Sequence, residues 1–337
     1  MSMAFSQILG QDKAQRLLTR ARASGRLAHA YLFTGPAGVG KKTLAKDFAT
    51  SLLCQHPKTD GSSCGTCSSC MQMRSGSHPD FLKIAPDGQY IKINQIREMK
   101  ETLVYPPLEG SLRVVLMHDV QTMRREAANS LLKILEEPPA RNLLLLTGEN
   151  EAGILDTIRS RCQIIPLHAL PLGLCTELIA RHRPHLSSVD CHTLSELSYG
   201  CPGQALQMEA EALLPLYNEL IENILALAKP MGRRVENALI LAERLGKDKE
   251  MLAHIFHLLR LLYKNILAYA LSGKDEYLPQ GYHNLPREHW NQEQLSAKLK
   301  AIGMAEVALA RNCTPSLTLE VLLLQLMDCL DPHPMQA

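Results

Sequence analysis

The stretch Gly35-Pro-Ala-Gly-Val-Gly-Lys-Lys42-Thr43 has the residue types of a phosphate-binding loop. In the pattern G-x-x-x-x-G-K-[ST], glycine N–H groups cradle phosphates, the lysine reaches the terminal phosphates and the last hydroxyl holds Mg²⁺. Gly35, Gly40 and Lys41 fill three of these roles, and Gly38 adds a further permissive position. Lys42 stands where the hydroxyl belongs. An ammonium has no lone pair to give a metal and repels it. Thr43 comes one residue late, which on a helix turns its side chain about 100° away. Only a loop shifted by one residue would bring that hydroxyl back.

A second part of the same chemistry lies further on. Arg113-Val-Val-Leu-Met-His-Asp119-Val120 reads as a buried strand ending in an acid. A strand-end Asp in a phosphate-loop enzyme holds the Mg²⁺ shell, and an adjacent acid often orients the attacking water. Asp119 is present, but Val120 can neither accept a proton nor orient water. The plainer alternative makes Asp119 a cap for the next helix. Arg159 and Arg161 then lie between two apolar segments. They are either surface charge or an arginine finger presented to a phosphate on another subunit, and spacing leaves both open.

Four of the ten cysteines, Cys54, Cys64, Cys67 and Cys70, are spaced C-x9-C-x2-C-x2-C. A C-x2-C step lets two thiolates of one tight turn face one ion, and Gly65 eases the first such turn. Four thiolates make a closed tetrahedral site, suited to a structural Zn²⁺ with no position left for chemistry. The C-x2-C-x2-C core also occurs in iron–sulfur sites, but the Cys-Pro that follows there is missing. His56 and His78 are spare ligands nearby, though they read better as surface histidines.

The elements that must position these groups follow from hydrophobic periodicity. Residues 30–34 read as a short buried strand and 43–53 as a helix, with Leu44, Phe48 and Leu52 on one face. Strand, Gly-rich turn and helix in that order is the arrangement in which a helix N-terminus meets anions. Residues 124–137 read as a helix stopped by Pro138-Pro139, with Arg124, Arg125 and Lys133 on its solvated face. A further strand is expected at 142–147. The fold class expected is α/β followed by all-α: strand–helix alternation to about 169 with a zinc module at 54–70, three short helices over 170–207, and helices from 208 onward. Those last helices are expected near 213–227, 234–245, 251–271, 292–310 and 317–330, with a loop at 272–290 and a disordered tail at 331–337.

Composition limits the function classes. With 337 residues the chain has room for two or three domains. A net charge of +2 gives no support for autonomous tight binding to nucleic acid. The first residues lack the basic and apolar regions of a signal peptide, and no apolar run reaches the ~18 residues of a membrane span. Ten cysteines without an export signal fit a reducing compartment. A cytoplasmic protein is expected.

Taken together, the motifs resemble a known family. Ile8-Leu-Gly-Gln11, the phosphate loop, the four-cysteine insert, His78-Pro-Asp80, Ser130-Leu-Leu-Lys-Ile-Leu-Glu-Glu-Pro-Pro139 and Ser160-Arg-Cys162 occur in the order found in bacterial clamp-loader subunits. These are the AAA+ proteins of the DNA polymerase III holoenzyme, and the resemblance runs over roughly residues 4–330. It implies a P-loop AAA+ domain over 1–169, a helical lid over 170–207 and a helical collar over 208–337 that closes a ring of five subunits. It also makes Arg161 a finger acting on ATP held by a neighbour, with Arg159 the weaker candidate. Gln204 stands where the family's motor subunits carry a phosphate-sensing Arg. With Lys42 and Val120, this points to the family's non-hydrolysing branch.

The resemblance implies as partners the gamma/tau motor subunits and the delta subunit, and, through the complex, the sliding clamp and primed DNA. The expected cofactor is structural Zn²⁺. Gly35, Gly38, Gly40, Lys41, Thr43 and Asp119 form a degenerate site that either still holds ATP or ADP or has lost both. Two competing readings remain. One is an active motor ATPase with unusual motifs, and the other is a zinc-dependent DNA-binding module. The near-neutral charge and the scarcity of basic and aromatic residues around the four cysteines argue against the second.

Overall fold

The run Ala30-Tyr-Leu-Phe-Thr34 is buried at every position, as a strand covered on both faces must be. The same holds for Arg113–Met117 and Asn142–Gly148. In the computed structural model, which describes residues 8–149, 153–208, 210–225, 231–247, 249–273 and 291–327, the chain divides into two units, Met1–Gln207 and Met208–Ala337.

In the first unit the elements run α1 (Asp12–Ala23), β1 (Ala30–Thr34), α2 (Lys41–Leu53), α3 (Ser68–Ser75), β2 (Phe81–Ile84), α4 (Ile93–Val104) and β3 (Arg113–Met117). They continue as α5 (Arg125–Glu136), β4 (Asn142–Gly148), α6 (Asp156–Arg159), β5 (Gln163–Pro166), α7 (Leu172–His182), α8 (Ser188–Leu197) and α9 (Pro202–Gln207). The strands form one parallel sheet in the order β2-β3-β4-β1-β5.

Alternation along the strands divides the core between the two faces. Tyr31, Phe33, Val114, Leu116, Leu143 and Leu145 pack with Leu18 of α1 and Leu44 and Phe48 of α2. Leu32, Val115, Met117, Leu144 and Leu146 pack with Ile96 and Leu103 of α4 and Leu131 and Leu135 of α5. The result is a helix–sheet–helix sandwich. In such folds ligands meet the carboxyl ends of the strands. That edge carries the phosphate loop after β1, Asp119 after β3 and Thr147 in β4. Gln11 of the N-terminal motif is buried there too, its amide donating to the carbonyl of His168 at 2.7 Å.

The second unit contains α10 (Ala210–Leu225), α11 (Met231–Leu245), α12 (Lys249–Ser272), α13 (Gln292–Ala310) and α14 (Pro315–Met327). Ile255, Phe256, Leu259, Leu262 and Ile266 of α12 are buried, as are Leu319, Leu322 and Leu326 of α14. Lys298 of α13 is buried and donates to the carbonyls of Gln325 and Leu326, so a cation satisfies the C-terminal turn of α14. The expected loop over 274–290, the helix extensions at 226–227 and 328–330, and the tail over 331–337 lie outside the described residues.

Candidate nucleotide and metal sites

The phosphate loop leaves β1 and enters α2 through Gly40, which takes the left-handed φ of 102° at the N-cap. Lys41 opens the helix. Its ammonium lies inside the loop and donates to the carbonyls of Gly35 at 2.7 Å and Pro36 at 2.8 Å. Burial pulls the Lys41 pKa below its ordinary value, against the fields of Glu149 and Asp119. The Leu44 N–H bonds the Gly40 carbonyl at 2.9 Å, so the helix starts in register and the loop is not shifted by a residue. Thr43 is exposed.

Lys42 reaches from the first turn of α2 across to β3. Its Nζ lies 2.6 Å from Oδ2 of Asp119. Asp119 has φ 52°, a left-handed conformation uncommon outside glycine. Its own N–H is held by Thr147 Oγ1 of β4 at 3.1 Å. The alternative of Asp119 as a helix cap is corrected here. A short 3₁₀ turn follows, but the carboxylate makes no cap bond and is spent on Lys42. Val120 is buried in the core. His118 is buried as well, and neither ring nitrogen finds a hydrogen-bond partner. Its pKa falls to about 4, through burial first and then the charges of Lys42 and Lys83.

Above the loop sits the start of α9. The Gly203 N–H donates to the Gly38 carbonyl at 2.8 Å. A Cβ on Gly38 would come within 2.4 Å of the Gln204 nitrogen, and one on Gly203 within 2.7 Å of the Gly38 oxygen. Only glycine allows the two backbones this approach. Gln204 therefore lies directly over the loop, offering an amide rather than a cation.

The two arginines sit elsewhere, at the junction of α6 and β5. Arg161 donates to the Thr157 carbonyl at 3.0 Å and to Ser160 Oγ at 3.3 Å, and pairs with Glu136 of α5 at 2.8 Å. Arg159 pairs with Asp156 one turn back at 2.8 Å. Both side chains are more than a third exposed. Cys162 behind them is partly buried, and burial pushes its thiol up to about 12.

The four cysteines converge, with all four Sγ atoms within 4.8 Å of one another. Sulfur pairs lie at 3.6 Å (Cys54–Cys64), 3.9 Å (Cys54–Cys67) and 3.9 Å (Cys64–Cys70). A tetrahedron of Zn–S bonds near ~2.3 Å requires edges of ~3.8 Å, so the set fits zinc. Gly65 takes φ 78° in the turn between Cys64 and Cys67. Backbone N–H groups of Thr66 and Cys67 point at Cys64 Sγ and lower its pKa to about 5, while burial drives Cys70 to about 12. Cys67 Sγ also caps α3 by accepting from Cys70 N. No disulfide occurs among the described residues.

The family profile for the DNA polymerase III delta subunit matches residues 10–171. Subunit delta′ of DNA polymerase III from Pseudomonas aeruginosa is 35% identical over 219 residues, covering 64% of this chain and 66% of that protein. The delta′ subunit of Bacillus subtilis is 27% identical over 327 residues, covering 94% and 96%. The tau/gamma subunit of Haemophilus influenzae is 34% identical over 182 residues, covering 54% of this chain and 26% of that protein.

The chain belongs to the DNA polymerase III delta-prime family.

Its first unit is accordingly an AAA+ domain carrying a four-cysteine insertion. Several groups that build this delta-prime site escape a reading of motifs. His78 is not a surface residue: it is 5% exposed, and its Nε2 meets Ser69 Oγ at 2.9 Å. Ser69 in turn donates to the Leu53 carbonyl at 2.7 Å, tying the cysteine module to α2. Asp80 is fully buried, accepts the N–H groups of Leu108, Glu109 and Gly110, and lies 3.7 Å from buried Arg113. His78-Pro-Asp80 contributed to the family resemblance, but the partners of Asp80 are some thirty residues away. Thr147 carried no signal beyond membership of a strand, and Glu136 none beyond its place in the 130–139 motif. Among the described residues, no helix is long and apolar enough to cross a membrane.

Proposed function

We propose that this chain is the non-hydrolysing stator of a DNA polymerase III clamp loader, supporting ATP-dependent loading of the sliding clamp onto primed DNA. The observation that carries the reading is the Lys42–Asp119 ion pair at 2.6 Å. It spends the carboxylate that would hold Mg²⁺ and does so with the residue that replaced the metal's hydroxyl ligand. Val120 supplies no base, and Gln204 over the loop supplies no cation. The chain has the frame of a phosphate-loop ATPase and keeps Lys41, but lacks the metal ligand, the base and the sensor cation that act on the γ-phosphate.

Arg161 then acts in trans. Its guanidinium is exposed beside the Ser-Arg-Cys turn, and its role is to reach ATP bound by a neighbouring gamma/tau motor subunit, with Arg159 as the lesser candidate. Residues 170–207 serve as the lid, and 208–337 as the collar joining the motor subunits and the delta subunit in a hetero-pentamer. Exposed Met304, Val307, Leu317 and Val321 on α13 and α14 suit such a contact. Cys54, Cys64, Cys67 and Cys70 hold a structural Zn²⁺ in a cytoplasmic protein.

The test has two arms. The purified chain alone, beside a Lys41→Ala control, is expected to show no ATP turnover above that control. A reconstituted complex carrying Arg161→Ala is expected to lose hydrolysis at one site by ~10³-fold. Turnover by the isolated chain that vanishes in the control would make it a motor. An unchanged complex would remove Arg161 from the role. Nothing in the site favours the motor reading, because the in-register start of α2 leaves Thr43 exposed and facing away.

A further inference from the structure

A phosphate loop of this kind implies Mg²⁺, and the residues present do not fit it. Mg²⁺ asks for a near-octahedral oxygen shell at ~2.1 Å, including a loop hydroxyl and the carboxylate shell of a strand-end acid. Lys42 removes the hydroxyl, and its ammonium sits 2.6 Å from the Asp119 oxygen that would face the ion. A divalent ion beside Asp119 would have to displace a cation that is covalently part of the helix. The Lys42 side chain is half exposed, so it is long enough to leave the loop, yet it is turned in toward Asp119.

The adjacent lysine points elsewhere. Lys41 donates to the carbonyls of Gly35 and Pro36, within the cradle itself. Two ammonium groups from consecutive residues thus flank the same loop, one inside it and one on its metal side. The left-handed backbone at Gly38 and Gly40 keeps the cradle shape. The loop thus presents a cationic cradle whose metal side is occupied by an ammonium.

We propose that Lys42 is a tethered counter-cation replacing Mg²⁺, so that this loop binds nucleoside di- and triphosphates as metal-free anions. The inference rests on the non-hydrolysing reading above and names the ligand form that goes with it. A single fixed charge already paired with Asp119 balances a polyphosphate less fully than Mg²⁺ does. Binding without turnover follows.

The experiment is equilibrium binding of fluorescent ADP and ATP analogues to the full chain, in millimolar Mg²⁺ and in EDTA. The native chain is expected to bind both analogues with the same affinity in the two buffers. Lys42→Thr, which restores the hydroxyl and frees Asp119, is expected to acquire a Mg²⁺ response of at least about tenfold. Lys42→Met is expected to bind more weakly in EDTA and to gain no such response. Native binding that tightens with Mg²⁺, or no binding in either buffer, overturns the proposal. Neither result touches the stator role of Arg161, which is read from hydrolysis in the reconstituted complex. Mg²⁺-dependent binding together with turnover by the chain alone would sink both.

Discussion

Arg161 is held 2.8 Å from Glu136, a residue of the Leu-Glu-Glu-Pro-Pro run at the end of α5. If Arg161 is the finger proposed above, it is parked on its own subunit and must leave a carboxylate to reach a phosphate. An exposed pair of this kind is worth about 0.2–1 kcal/mol. Glu136→Gln is expected to raise hydrolysis by the reconstituted complex, by about fivefold at most if release of Arg161 limits the rate. Arg161→Lys is expected to behave as Arg161→Ala, since an ammonium lacks the planar fork that meets a phosphate. Steady-state turnover of the three complexes checks both expectations, and a faster Arg161→Lys complex would contradict the second.

Zinc content is the simplest measurement on the cysteine module. One ion per chain is expected from elemental analysis of native protein, and a lower content from Cys64→Ser or Cys67→Ser. Loss of the ion removes folding energy from a segment with little core of its own. Stripped protein should therefore melt at lower temperature and become open to proteolysis between residues 55 and 66. Full occupancy in either serine variant would point to a different ligand set.

Asp80 should report on acid stability. Burial works to raise its pKa, but three backbone N–H groups and Arg113 outweigh burial and hold the carboxyl below its ordinary value. A depressed folded pKa means that the stabilisation is complete above the unfolded value of ~3.9. It is lost as pH falls through the lower, folded value. Asp80→Ala strands a buried guanidinium and is expected to cost ~3–5 kcal/mol at neutral pH. Urea unfolding of native protein and Asp80→Asn across pH should show two stability curves that converge in acid. Parallel curves would mean that the charge on Asp80 does not matter.

The Gly38–Gly203 contact gives a steric prediction. Alanine at 203 would push a methyl against the Gly38 carbonyl, at 2.7 Å in the unrelaxed backbone. Overpacking of this sort costs ~1–3 kcal/mol. A lower melting temperature for Gly203→Ala, with zinc content unchanged, is the expected result. No change in melting would mean that α9 shifts off the loop at little cost.

The sheet was legible wherever a strand is covered on both faces. Ala30–Thr34, Arg113–Met117 and Asn142–Gly148 are buried throughout and carry continuous apolar cores, with their polar residues confined to or near the strand ends. The edge strand Phe81–Ile84 was not legible, since Lys83 is exposed and the other side chains are only partly covered until Ile84. Helix α1 buries only Ala14, Gln15 and Leu18 among its many arginines and a lysine, which hides it from a search for aliphatic periodicity. At the site, residue types identified the parts and could not say what they touch. Lys42 read as a lost hydroxyl, whereas its length lets it cross to Asp119. His78 read as a surface histidine because its partner, Ser69, lies in the cysteine module and becomes its neighbour only once that module folds back.

That last link ties two regions into one. The Ser69 hydroxyl joins the Leu53 carbonyl at the end of α2 to His78, and two residues on, Asp80 gathers the 108–110 turn. The insertion is thus wired into the backbone that frames the sheet, rather than hung from it. Slow amide protons at residues 108–110 and in the last turn of α2 should begin to exchange together when the metal is withdrawn. The cysteine module and the strand edge would then open as a single cooperative unit.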